Sequence, residues 1–301
     1  MSLFDSLLLD PYRINLWIAL RTDSVKGSGT QDDPYDGSTA AKLDTLLNSF
    51  AANTTIHFGP GTFQISGFKD LATTSWVKSG MKIYGSGVDV TTLQMVSASM
   101  ADSHYYAIGH PYAQTTSNLA DYFEVSDLTI DCNLAAAGAT TACGAVRLLG
   151  NHARVRRVKV INWGRKGGAV SECFVLAMLT ADPASGVTAV VGCGIEECIA
   201  VTPGAADVGP TTVFHVGPKD DSPTTDAEGY GVGPFIRNCY VDCGSPTATP
   251  EYRGLSMAWC RGGVGSRALP TPLAYLMSRD GKKAIERIAC VRTRESYLMA
   301  I

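Results

Sequence analysis

No stretch of this chain approaches the roughly eighteen consecutive apolar residues that a membrane-spanning helix requires, which argues against a membrane span. A basic surplus is also missing. With 25 Lys+Arg against 28 Asp+Glu the formal net charge is -3, so nothing in the balance draws the chain to nucleic acid or to an acidic membrane surface. The nine cysteines contain no C-x-x-C, which removes the common zinc and redox motifs. Their odd number and scatter fit core packing, in which cysteine behaves as a small hydrophobe, better than a disulfide framework. The first residues, MSLFDSLLLDPYRINLWIAL, lack a basic start and a small-residue cleavage site and are read as carrying no secretory leader. A dinucleotide fingerprint is absent too. In SGMKIYGSGVDVTTL (79–93) the third glycine position of G-x-G-x-x-G is Val90, and the β-branched run that follows reads as a strand where a helix would be needed.

What the chain does contain is a repeat. VSDLTIDCN from Val125, VRRVKVINW from Val155, IEECIAVTP from Ile195 and IRNCYVDCG from Ile236 align without gaps, at intervals of 30, 40 and 41 residues. Three columns are apolar throughout: Val125, Val155, Ile195, Ile236; then Leu128, Val158, Cys198, Cys239; then Ile130, Val160, Ala200, Val241. Turn formers such as Gly164, Pro203, Gly204 and Gly244 follow the segments closely. In a parallel solenoid, equivalent residues of successive rungs stack at about 4.8 Å, so inward columns must be apolar and the intervals leave room for insertions. The second column (Ser126, Arg156, Glu196, Arg237) and the third (Asp127, Arg157, Glu197, Asn238) read as outward ladders of alternating charge. Each exposed lateral pair contributes only about 0.2 to 1 kcal/mol, so these ladders specify register more than they stabilise.

Upstream, TTIHF and GMKIY read as earlier strands, ended by Gly59-Pro60-Gly61 and Gly85-Ser86-Gly87. Before them, Ser38 is the expected N-cap of a helix carrying Ala40, Leu43, Leu46, Leu47 and Phe50 on one face, suited to closing the end of the coil. DGSTAAKLD (36–44), GPGTFQISG (59–67) and KSGMKIYGSGVDVTTL (78–93) together resemble the N-terminal region of the pectate-lyase-like superfamily of right-handed parallel β-helix proteins. The resemblance implies an all-β, single-stranded right-handed parallel β-helix with a short N-terminal helical cap over residues 1–264.

That superfamily includes polysaccharide lyases, glycoside hydrolases, epimerases, tail-spike proteins and non-catalytic surface proteins, so the fold alone does not select a reaction. The resemblance implies a carbohydrate-directed protein, a lyase or glycoside hydrolase acting on an acidic extracellular polysaccharide, located outside the cell or on a cell or virion surface. The alternative is a non-catalytic surface or tail-spike-like binding module, for which a trimer is the oligomer to consider. The Asn-Thr-Asp, Asp-Asp, Gly-His-Gly and Arg-Ile-Lys series of a polygalacturonase-like enzyme is absent. His110 stands early and lacks the second glycine, and His152 reads as a turn residue.

Candidate chemistry concentrates in the insertion between the third and fourth segments. Asp207, Asp220, Asp221, Asp226 and Glu228, with Arg237, are the catalytic candidates. Asp220, Asp221 and Asp226 would suit Ca²⁺, which takes six to eight oxygen ligands, while a facing carboxylate pair would suit glycoside hydrolysis. The same composition also makes an ordinary solvated loop. For substrate binding, Tyr105, Tyr106 and Tyr112 form a candidate stacking platform, with a core or loop-anchoring role as the equal alternative, and His215 and Lys219 are further candidates in the insertion.

Beyond Val264 the composition changes sign, seven Lys/Arg against three Asp/Glu where the preceding residues have eighteen against twenty-five. Residues 265–301 are therefore expected to form a distinct tail, either a helical cap, with Asp280 capping a helix carrying Ala284, Ile285, Ile288 and Ala289, or an aberrant or truncated end.

Overall fold

The computed structural model describes residues 13–69, 74–96, 104–110, 119–138, 141–166, 171–178, 189–201, 211–218, 230–232, 235–242, 252–257 and four short strands from 260 to 287. Beyond residue 166, side chains are described only at 191–201, 213–214 and 235–240.

The chain coils through three sheets in turn, of thirteen, eight and three strands. The repeat seen in the sequence is the register of the first sheet. Val125 pairs in parallel with Val155, Val155 with Ile195 and Ile195 with Ile236, while Ile130, Val160, Ala200 and Val241 form the later column. The column continues upstream through Ile83, Ile56 and Leu16. Parallel pairing rung upon rung through three faces makes the molecule a parallel β-helix. The inward residues Ile56, Ile83, Val125, Val155, Ile195 and Ile236 are fully buried, and they belong to one continuous core with Leu128, Val158, Cys198 and Cys239. Cys198 and Cys239 even repeat the same contacts. Each thiol donates to the carbonyl two residues before it, Glu196 at 3.2 Å and Arg237 at 3.3 Å.

The helical cap spans Ala40–Ser49 and buries Leu43, Leu46 and Leu47, with Phe50 just beyond its end. Its N-cap is Thr39, one residue later than expected, because the Thr39 hydroxyl accepts from the amide of Lys42 at 3.3 Å. Ser38 instead donates its amide to Asp36, and the buried Asp36 carboxylate pairs with Lys42 at 2.6 Å.

The turn at Gly85 also finds its reason. A Cβ there would lie 2.3 Å from the carbonyl oxygen of Asp127 and 2.6 Å from Cβ of Leu128, so only glycine lets the two rungs close. This glycine serves a close backbone approach at a corner, with no phosphate involved.

Two expectations change. Ser126 is fully buried and donates to Asp127 at 2.7 Å, so the second column is not outward at every rung. In the tail, Ile285–Arg287 is a strand pairing in parallel with Val264–Leu269, where a helix was expected. Ile285 pairs with Gly265 at the edge of the first sheet, with a register shift at the next position. Asp280, Ala284, Ile288 and Ala289 lie outside the described residues.

Candidate functional site

The strands of the first sheet enter through a corner that repeats from rung to rung. Asn53, Gly80, Tyr122, His152 and Gly192 stand three positions before the inward residues Ile56, Ile83, Val125, Val155 and Ile195, and all five have left-handed backbone, with φ between 56 and 70°. The first four pass their amide hydrogens to the next rung: Asn53 to Ser79, Gly80 to Asp121, Tyr122 to Asn151 and His152 to Val191, at 2.6 to 3.0 Å. Asparagine, glycine and histidine are common in this conformation, whereas bulky tyrosine is an outlier. Strain of this kind persists only where the surroundings over-determine it, and it concentrates at functional positions.

Side chains in this column lean toward the following rung. The place a Cβ would take at Gly80 is filled by the Asn53 amide, and that at Gly192 by the His152 ring. Tyr122 lies on His152 with ring centroids 4.9 Å apart and planes 20° apart. Tyr122 is 60% exposed, the most exposed large hydrophobic residue among those described. Alongside Tyr122 and His152, and lined also by Asn53 and Gly80, lies a groove of about 500 Å³.

The groove's other wall is the outward column just before the inward one. Asn15, Thr55, Lys82, Glu124, Arg154, Gly194 and Phe235 are in register from rung to rung. Lys82 stands 3.6 Å from Glu124, and Arg13 donates to the carbonyl of Gly80 at 3.1 Å. The Asp121 carboxylate is spent on structure, accepting from the amide of Asn151 at 2.6 Å. The groove thus carries three cations, Arg13, Lys82 and Arg154, and two carboxylates, Asp121 and Glu124, with Glu124 standing between Lys82 and Arg154 in the same column.

Next along the strand comes the second column. Its early rungs carry rings, with Trp17 stacked on His57 at 4.7 Å and His57 tilted toward Tyr84 at 5.8 Å. Burial holds His57 below the usual histidine range and, helped by the nearby Glu124 carboxylate, pushes the Tyr84 phenol up to about 12. Its later rungs form the charge ladder, Arg156 to Glu196 at 2.6 Å and Glu196 to Arg237 at 3.0 Å.

The candidates nominated from the sequence fare unevenly in this geometry. Tyr105 and Tyr106 are buried, so they do not form an open stacking platform. Tyr105 belongs to the interior core, and Tyr106 is the seat of the fully buried Arg147, whose guanidinium lies 4.6 Å over its ring and 5.0 Å over Phe68. Arg237 is exposed but engaged with Glu196, which gives it a place in the register ladder. His215 lies on the strand Thr211–Pro218, in register with Val175 and Ser256. Asp207, Asp220, Asp221, Asp226, Glu228, Lys219 and Tyr112 lie outside the described residues. Among the described residues no three His, Cys, Asp or Glu side chains come together to hold a metal ion, and no helix is long and apolar enough to cross a membrane.

Tyr122, Arg154, Lys82 and Arg13 were not singled out from the sequence. The available signal was positional: Tyr122 and His152 share one column, three residues before the first apolar column of the repeat.

No protein-family model matches the chain, and a search of curated proteins finds no match. Among solved structures, the A-module of the Azotobacter vinelandii mannuronan C-5 epimerase AlgE6 aligns with 77% of this chain at 15% identity and a TM-score of 0.34, and the chain spans 58% of that module. A pectin methylesterase in complex with a hexasaccharide aligns at 10% identity and a TM-score of 0.37, over 88% of this chain and 80% of its own. A rhamnogalacturonan lyase aligns at 11% identity and 0.37, over 85% and 73%. These scores are too low to assign any chemistry to this chain. The register settles the architecture.

Proposed function

We propose that the protein is a carbohydrate-directed β-helix that holds an acidic polysaccharide on the outer face of its first sheet, at the groove beside Tyr122. The observation that carries this reading is the Tyr122–His152 pair, a 60% exposed ring stacked on a second ring at 4.9 Å, beside a wall containing Arg13, Lys82 and Arg154. A tyrosine presents an apolar face with a polar tip, which suits the face of a sugar ring, and cations nearby favour a glycan bearing negative charge. The stack crosses rungs, so a chain molecule lying along the coil meets both rings and these cations.

Cleavage is a separate matter. The carboxylates nominated for lyase or hydrolase chemistry, Asp207, Asp220, Asp221, Asp226 and Glu228, lie outside the described residues, and no cleavage step is built on them. The reading is therefore of binding, with the tail-spike-like or surface module as its nearest functional type. The test is titration of the purified protein with acidic and neutral polysaccharides, with and without Ca²⁺, while new reducing ends and the ultraviolet absorbance of unsaturated sugars are followed. Saturable binding to acidic polysaccharide that weakens in Tyr122→Ala supports the reading. Binding that is absent, or indifferent to Tyr122, overturns it.

A further inference from the structure

The groove's cations are not equivalent. Lys82 is paired with Glu124, and Arg13 donates to Gly80 and Thr55. Among the described residues the Arg154 guanidinium has no hydrogen-bond acceptor and no ion-pair partner. It lies over the ring of Phe235, 4.3 Å from Cζ to centroid, with the carboxylates of Glu196 and Glu124 near enough to act on its charge but not bonded to it.

That contact spans two rungs. Arg154, Gly194 and Phe235 are successive members of one outward column. A Cβ at Gly194 would lie 2.0 Å from Cζ of Phe235 and 2.4 Å from Cε1 and Cε2, so the ring occupies the space a side chain would take at 194. Phe235 folds across the glycine and reaches Arg154, while Arg237, on the same ring at 4.2 Å, is already bonded to Glu196 at 3.0 Å. Stacking uses the face of a guanidinium and leaves its in-plane N–H groups free, and that planar fork matches a carboxylate through two parallel hydrogen bonds.

We propose that Arg154 is the residue that recognises the carboxylate of a uronic-acid unit, and that Phe235, reaching across Gly194, is the positioning residue that presents it to the groove. This rests on the reading of the groove as a glycan site. Lysine cannot replace Arg154 on this account, because an ammonium is a point charge without the fork. The ring, by contrast, tolerates a hydroxyl at its edge, so Phe235→Tyr keeps the function.

The experiment is calorimetric titration of wild type, Arg154→Lys, Gly194→Ala, Phe235→Leu and Phe235→Tyr with sodium polygalacturonate and with its carboxyl-reduced neutral counterpart. The readout is the ratio of the two affinities, which a merely structural defect would not move selectively. Wild type is expected to prefer the polyuronate, and Arg154→Lys to lose about tenfold of that preference. Gly194→Ala, whose methyl displaces the ring, and Phe235→Leu should each lose several-fold, while Phe235→Tyr retains the wild-type ratio. If Gly194→Ala does not fold, Phe235→Leu decides. A wild-type ratio in Phe235→Leu or in Arg154→Lys overturns the inference and leaves glycan binding standing. Failure of wild type to bind either polymer overturns both together.

Discussion

Arg157 grips Asp127 with both ends of its fork, Nε to Oδ1 at 2.5 Å and Nη2 to Oδ2 at 2.7 Å, and both residues have left-handed backbone. The pair is part of a second corner. Asp127, Arg157, Glu197 and Asn238, the third column of the repeat, have φ of 61, 46, 55 and 53°. The column that reads as a charge ladder is thus also the bend of these four rungs. The left-handed conformation costs about 1 to 2 kcal/mol per non-glycine residue, more than the about 0.2 to 1 kcal/mol of an exposed ion pair, so charge complementarity here offsets only part of the strain.

Glu197 gives the cleanest test of that balance. It is half exposed and stands 3.9 Å from Arg157, too far for a strong pair. Glycine at 197 removes the strain but adds chain entropy to the unfolded state, so Glu197→Gly should stay within about 1 kcal/mol of wild type. Glu197→Val, β-branched in a left-handed position, should lose about 2 kcal/mol more than the glycine variant. Thermal unfolding of the three proteins reads the difference, and equal losses would remove the corner from the account.

Asp36 sets an acid limb on stability. Burial raises its pKa, but the Lys42 ammonium at 2.6 Å and the bonds from Ser38 outweigh burial and hold the carboxyl at about 2. An unfolded aspartate titrates near 3.9, so this group's contribution is complete above about pH 4 and is lost as pH falls through its folded value. The stability gap between wild type and Asp36→Asn should be constant from about pH 7 to 5 and close between about pH 4 and 2. Denaturant melts across that range measure it. A gap that persists at pH 2 would mean the carboxylate is not held by Lys42.

The stacked cysteines should be silent in the native state. Cys132, Cys143, Cys193, Cys198 and Cys239 are buried, and burial pushes the thiols of Cys143 and Cys193 up to about 12. Since the thiolate is the reactive form, a thiol reagent at neutral pH should leave these five unlabelled until the protein unfolds. Peptide mapping after labelling decides it, and native modification of Cys193 or Cys198 would show that the interior opens.

At the groove, Tyr122→Ala should weaken polysaccharide binding by about tenfold, and His152→Ala by less, since it removes the support and leaves the exposed ring. Tyr122→Gly should match Tyr122→Ala in binding yet be the more stable of the two, because position 122 is left-handed with φ of 57°. Binding titrations paired with thermal melts separate the two effects. A stability order of alanine above glycine would contradict the strained corner.

Much of the architecture was legible in the sequence. The columns headed by Val125 and Ile130 pair in the register that the gapless repeat implies, because the interior of a coil admits only apolar side chains and that demand recurs at every rung. The helix was legible in the spacing of Leu43, Leu46 and Leu47, and only its cap moved, since Ser38 and Thr39 are both capable and the competition of Asp36 for the Ser38 amide decided between them. For Tyr105 and Tyr106 the sequence left a platform and a core role open, and folding chose burial, because adjacent strand residues point to opposite faces and both faces are covered there, one by the core and one by Arg147 and Phe68.

The recurrence of apolar residues and turn formers was thus enough, without any structure, to specify a parallel coil. Which outward side chains meet was settled only by folding. Tyr122 reaches His152 across 30 residues of chain, and Phe235 reaches Arg154 across 81 by passing over Gly194. Such contacts depend on left-handed corners that tilt each side chain onto the next rung and on a missing side chain between two others, and neither follows from a residue's own identity.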